Sequence, residues 1–249
     1  MILADKVALV TGASTGIGRA TIHKFMQEGA IVYGVGASSD EIMSITGDFT
    51  FIECDPTSEE SVKQVCCEVR EKIGKLDILV TVAEKMFHGS VLEVNASIIE
   101  EANRYICLAP MLFTKYCYGM LKESTNGSIA YNIPAAALMM DKNFLNSIYN
   151  VAIINYTRQC CSKLSPVRVN SILFGYMEDH LLTAEEISER SVPEKLAKIP
   201  AGRLGDSIEV ASVSAFLASD KARYITGSTY TADGGAFTAF SRSMGNNGV

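Results

Sequence analysis

The chain alternates between two hydrophobic periods along its length. Short apolar runs of strand type recur at residues 6–10, 31–35, 49–54, 76–82, 127–132, 167–173 and 228–232. Between them, apolar residues return every three or four positions, the period of a helix with one buried face, at 17–28, 58–73, 97–122, 146–164 and 208–218. Residues 17–28 show this plainly, with Ala20, Ile22, Phe25 and Met26 as the apolar set. Starts and stops agree with the periods. Gly29 and Gly74 follow the first two helices as C-cap residues. Thr57 or Ser58 opens the second helix, and Asp206 or Ser207 the last.

Strands alternating with helices of this length predict right-handed βαβ units. The expected architecture is α/β, a Rossmann-type doubly wound fold with a mostly seven-stranded parallel sheet and helices on both faces. A chain of 249 residues suits one large core of this kind, so a single domain over 1–249 is expected. Residues 176–199 read as a long, loosely patterned insertion, with Met177, Leu181, Leu182, Ile187 and Val192 fitting either an apolar lid or a helix packed for stability. Residues 242–249, rich in Gly and Asn, read as a frayed tail.

Composition narrows the partners. A hydrophobic share of 48% with 20% charged residues is that of a soluble globular protein. A net charge of -6 argues against a nucleic-acid surface, which needs clustered Lys and Arg. No run is apolar enough for a signal peptide or a membrane span, so a cytoplasmic protein without a membrane partner is expected. The seven cysteines include no C-x-x-C pair and are expected as reduced thiols packed like small hydrophobes. No metal site is expected, because His23, His88 and His180 lie far apart.

The first strand runs into Thr11-Gly12-Ala13-Ser14-Thr15-Gly16-Ile17-Gly18, and the first helix follows at once. Glycine takes the backbone shapes such a turn needs, and a missing Cβ lets main chain approach a pyrophosphate seated on the helix N-terminus. Gly12, Ser14, Thr15, Gly16, Ile17 and Gly18 are therefore candidate dinucleotide-phosphate contacts. Strand before and helix after are the context that makes a Gly-rich loop specific.

This loop resembles that of the short-chain dehydrogenase/reductase family, in its FabG-like branch, and the resemblance extends over nearly the whole chain. Leu76-Asp77-Ile78-Leu79-Val80, Arg168-Val169-Asn170-Ser171-Ile172, the stretch from Ile199 to Gly205, Phe216-Leu217-Ala218-Ser219-Asp220, Ile225-Thr226-Gly227 and Asp233-Gly234-Gly235 carry it further. The family binds NAD or NADP. The resemblance places Asp55, with Pro56, at the adenine, and Ala83 in the segment after the fourth strand that borders the cofactor. An acidic residue about 20 residues past the loop selects NAD and a basic one NADP. The second strand is followed by Ser38, Ser39 and Asp40, so neither signal is present. Ser38 fits either a 2′-phosphate contact or a solvated turn, and the absence of a nearby cation leans the choice to NAD.

The family's hydride transfer between nicotinamide and a carbonyl or alcohol implies a Tyr acid/base, a Lys four residues on, a Ser and an Asn. Tyr149 matches the Tyr, but the Lys position is Ile153. Positions i and i+4 share a helix face, so an apolar group stands where the ammonium belongs. A free phenol has a pKa near 10, and bringing it to neutrality takes roughly 4 kcal/mol that isoleucine does not supply. The Ser position falls near Ala136, where no hydroxyl stands. The Asn position is Tyr105, with Asn103 two residues off and pointing elsewhere on the helix. Asn132 reads as an amide donor that polarises a carbonyl or as a strand-end residue bonding backbone. Glu84 replaces a glycine beside the cofactor, Phe174 a proline, and Asp179 a threonine. A related enoyl-reductase branch spaces Tyr and Lys seven apart, but that position is Tyr156.

Three readings follow. One is a family member that keeps the fold and the phosphate loop with little or no oxidoreductase activity, acting alone or as a structural or regulatory subunit. Another is an NAD(P)-dependent oxidoreductase rebuilt around Tyr149. A third is a non-redox lyase or isomerase using Tyr149 with Asp179, Glu84 or Tyr105. The expected ligands are a dinucleotide and a small carbonyl or alcohol. Helices 97–122 and 146–164 match the family's pairing helices, so a homodimer or homotetramer, or a hetero-oligomer, is implied.

Overall fold

The computed structural model describes residues 1–37, 47, 49–82, 85–87, 89–135, 144–178, 196–197 and 199–238. Seven strands form one sheet: β1 (Val7–Thr11), β2 (Ile31–Gly36), β3 (Thr50–Glu53), β4 (Ile78–Val82), β5 (Ser128–Pro134), β6 (Arg168–Phe174) and β7 (Thr229–Ala232). Their spatial order is β3-β2-β1-β4-β5-β6-β7, and every neighbouring pair is parallel. The strand order reverses between β1 and β4. In an open parallel sheet that reversal leaves a crevice beyond the carboxyl ends of the strands.

Among the described residues six helices cover the sheet: α1 (Gly16–Gln27), α2 (Glu59–Ile73), α3 (Ala96–Asn103), α4 (Ala109–Glu123), α5 (Phe144–Lys163) and α6 (Ser207–Ala218). The central strands are buried at every residue, as a sheet sandwiched between two helical layers requires. On one side Leu9, Leu79, Tyr131 and Val169 pack with Val65, Phe113, Met120 and Ile153 from α2, α4 and α5. On the other, Ala8, Val10, Val80 and Ile172 pack with Ile22 and Phe25 of α1 and Val210 of α6. Successive strand residues alternate between these two cores because side chains in a strand point to opposite faces. Ser58 caps α2 by accepting from Ser61 N–H, Asp206 closes a capping box with Glu209 on α6, and Gly74 takes φ 78 at the end of α2.

The helix expected over 97–122 is not continuous. A π-helical turn, Arg104–Leu108, separates α3 from α4, and the Ala109 N–H reaches back to the Arg104 carbonyl. Pro110 is the cause at hand. It has no N–H for the ladder, and its ring crowds the carbonyl one turn earlier. The remaining elements lie within two residues of their expected bounds. The cysteines are free, and five of the seven are buried, with Cys66 and Cys117 in sulfur contact at 3.4 Å.

At the amino ends of the strands, Asp77 ties three elements. Its Oδ2 accepts from the Val7 N–H at 2.9 Å, its Oδ1 from the Ser124 hydroxyl at 2.5 Å, and Lys75 lies 3.6 Å away. Asp77→Ala leaves a buried N–H of β1 unpaired, and is expected to lower unfolding free energy by about 2–3 kcal/mol in urea titration. A loss under about 0.5 kcal/mol would show that Val7 finds another acceptor.

Candidate dinucleotide site

The phosphate loop is built from three residues that touch. Gly12 turns the chain out of β1 with φ 67, a value an L side chain disfavours. The Thr15 hydroxyl donates to the Gly12 carbonyl at 2.8 Å and accepts from the Gly18 N–H at 3.1 Å, capping α1. A Cβ on Gly18 would stand 1.8 Å from the Gly12 carbonyl oxygen, so only glycine allows α1 to sit this close. The result is a cradle of backbone at the positive end of α1, which fits a pyrophosphate. Gly16 is buried in the first turn, Ser14 is half-buried at the outer bend, and Ile17 is fully buried. Ile17 packs its side chain into the α1–α6 core and has only backbone to offer a ligand.

The same loop carries a cation that the residues following β2 do not supply. The Arg19 guanidinium donates to the Ser14 carbonyl. Arg19 stands in the first turn of α1, and helical side chains tilt back toward the N-terminus, which brings this one over the loop. That tilt was the signal available in the sequence.

An open cleft beside β2 and β3 is lined by Ala37, Glu53, Asp55, Pro56, Ser61 and Tyr105. Asp55 is exposed, and its Oδ1 accepts from both the N–H and the hydroxyl of Thr57, at 2.9 and 2.8 Å, a turn that fixes the carboxylate. Of the expected cofactor contacts, Ser38 and Ala83 lie outside the described residues. So do Glu84, Ala136, Asp179 and most of the 176–199 insertion.

On the other side of the loop, α5 presents Tyr149, Asn150 and Ile153. Tyr149 is half-buried and donates its hydroxyl to the Ile99 carbonyl of α3 at 3.2 Å. Burial pushes its phenol above the ordinary range, and the neighbouring Cys107 thiol adds to the rise. A tyrosine base needs the opposite shift. Ile153 is fully buried among α2, α4 and α5. Tyr156 is no substitute. It packs against Tyr131 with ring centroids 5.9 Å apart, and burial raises its phenol as well.

Between the ends of β1 and β4 and the helices α4 and α5 lies a narrow cavity, lined among others by Thr11, Thr81, Tyr105, Asn150 and Ile153. Tyr105 stands on the π-helical turn and, with Pro56, borders both this cavity and the open cleft beside β2 and β3. Asn103 is exposed. Asn132 turns to the opposite face of the sheet, where its carboxamide pairs with the Ser214 hydroxyl at 3.2 Å, a side chain rather than the backbone partner expected. Asn146, which sequence reasoning did not single out, accepts from the Phe87 N–H at 2.9 Å and anchors the chain after β4 to α5.

Comparisons with known proteins bear on the family and the fold. A family model described as enoyl-(acyl carrier protein) reductase matches residues 12–237. The 3-oxoacyl-[acyl-carrier-protein] reductase FabG of Thermotoga maritima is 29% identical over 245 residues, covering 94% of this chain and 99% of that protein. The uncharacterized oxidoreductase YxbG of Bacillus subtilis is 31% identical over 252 residues, covering 94% and 91%. The ligand-free aldohexose dehydrogenase of Thermoplasma acidophilum superposes with a TM-score of 0.88 at 28% identity, covering 94% of each chain. The chain belongs to the short-chain dehydrogenase/reductase family, an oxidoreductase family whose members bind NAD(P).

Two outcomes are expected at this site. Gly18→Ala forces the loop off α1, and should abolish ADP binding in calorimetry and lower the melting temperature by several degrees. In an ultraviolet pH titration, the difference between the wild type and Tyr149→Phe should show a phenol ionising above the free value of about 10. A midpoint near 7 would mean that a cation reaches Tyr149 after all.

Proposed function

We propose that this chain is a dinucleotide-binding member of its family with little or no oxidoreductase turnover. The observation that carries this reading is on α5. The Tyr149 phenol is held by the Ile99 carbonyl and shifted up, with buried Ile153 where a lysine would lower it. Gly12, Thr15, Gly16 and Gly18 would hold the pyrophosphate, and Asp55 and Pro56 would border the adenine. A nicotinamide cofactor supplies the hydride chemistry when bound. The residues here that would move the accompanying proton lack the charge to do it, because a neutral phenol with a raised pKa is a poor base at pH 7. Arg19 beside Ser14 offsets the lean to NAD, since it supplies the cation that a 2′-phosphate favours. Either cofactor fits.

An exposed apolar patch on α3 and α5 supports a role as one subunit of a dimer or tetramer. Ile148 and Val151 stand outward on α5 at 57% and 46% exposure, with Ile99 of α3 at 38%. Exposed apolar groups clustered on helices mark contact surfaces.

The test uses NADH and NADPH. Their fluorescence should report binding, while a broad panel of carbonyls and alcohols gives no turnover above background. Turnover that disappears in Tyr149→Phe would instead establish an oxidoreductase rebuilt around a neutral phenol. In sedimentation, Ile148→Glu combined with Val151→Glu should shift the protein to monomers. An unchanged oligomer would move the interface elsewhere.

A further inference from the structure

Asn150 is fully buried, and among the described residues neither its Nδ2 nor its Oδ1 has a hydrogen-bond partner. It is the one buried side chain of the described residues left in that condition. Buried polar groups are nearly always paired, and an unpaired one weakens the fold. Such a group is retained where something outside the ligand-free fold completes it. Asn150 lines the narrow cavity between the ends of β1 and β4 and helices α4 and α5, with Ile153 beside it.

The chemistry of that partner can be read from the amide. It offers one donor group and one acceptor and carries no charge. A hydroxyl, which both donates and accepts, completes it; an anion or a cation satisfies one end only. The cavity has room for about one or two water-sized groups, which admits hydroxyls from the edge of a ring and not the ring itself. Its neighbours say which hydroxyls. The cavity shares Pro56 and Tyr105 with the adenine-side cleft, and Thr11 of its wall is the first residue of the phosphate loop. The adenine-side cleft lies over β2 and β3, whereas the cavity lies over β4 and β5 under α5. A dinucleotide with its pyrophosphate on the loop would therefore direct its second ribose toward the cavity.

Helix geometry adds an independent reason. A long side chain at 153 would run back toward the N-terminus of α5 and over the preceding turn. Asn150 is three residues earlier on the same face, so its carboxamide stands on the path that a lysine at 153 would take.

We propose that the Asn150 carboxamide is the contact for the hydroxyls of the second ribose, the one distal to adenine. This rests on the dinucleotide reading above. A neutral amide keeps hold of the sugar and supplies no positive charge to Tyr149, so binding and proton transfer come apart on this helix.

ADP and ADP-ribose separate the two halves, since only ADP-ribose carries the second ribose. Calorimetry of each nucleotide with the wild type and with Asn150→Leu is the experiment, together with melting of the ligand-free proteins. The wild type should bind ADP-ribose more tightly than ADP. Asn150→Leu should weaken ADP-ribose about tenfold and leave ADP unchanged. The ligand-free variant should melt a few degrees higher, because an unpaired buried amide has been replaced by an apolar group of similar size. Asn150→Ala gives the same binding comparison if leucine overpacks the cavity. Equal losses for both nucleotides, or none, would overturn the assignment and leave dinucleotide binding standing. Failure of the wild type to bind either nucleotide would overturn the dinucleotide reading and this assignment with it.

Discussion

The close approach of Gly18 to the Gly12 carbonyl, with the Thr15 hydroxyl bridging them, governs the architecture around the site. It seats the positive end of α1 directly at the carboxyl end of β1. Everything that a dinucleotide would meet is arranged from that point. The open cleft lies toward β2 and β3, and the inner cavity lies toward β4, β5 and α5. Any side chain larger than hydrogen at position 18 would break the contact and move both halves relative to each other.

The two sides of this point differ in electrostatic character. The loop side has a helix N-terminus and the Arg19 guanidinium on the Ser14 carbonyl. The α5 side is neutral where chemistry would need charge. Ile153 is packed in the core, Tyr149 is bonded to a backbone carbonyl, and Asn132 is paired with Ser214 on the far face of the sheet. Burial there raises phenol and thiol pKa values, with Cys107 pushed up to about 11. An uncharged wall of apolar and hydroxyl-bearing residues around an amide that has no partner among the described residues suits holding a neutral polyol better than abstracting a proton.

Much of this was legible in the residues. The order of strands and helices follows from hydrophobic period, and Gly12 and Gly18 follow from the steric demands of a strand-to-helix turn. That an isoleucine, Ile153, stands four residues after Tyr149 is read from the sequence directly. Other features were not legible, for reasons that can be named. Pro110 interrupts the helix after α3, yet a single proline does not say whether the ladder will break, kink or take a π turn. Asn132 has the same sequence appearance whether it faces a ligand or Ser214. Only the strand's position between two helical layers decides its direction.

Local chemistry and periodicity thus determined the fold, the Gly-rich loop and the apolar residue one turn after Tyr149, because each depends on residues close in sequence. Tertiary packing decided where Arg19 reaches, which way Tyr149 and Asn132 point, and that Asn150 is buried without a partner. These depend on which distant elements pack around a side chain. Asn150 needs β1, β4, α4 and α5 in place before its isolation exists. No period or spacing along the chain encodes that isolation, because an asparagine in a helix satisfies the pattern equally well in solvent, at an interface or over a cavity.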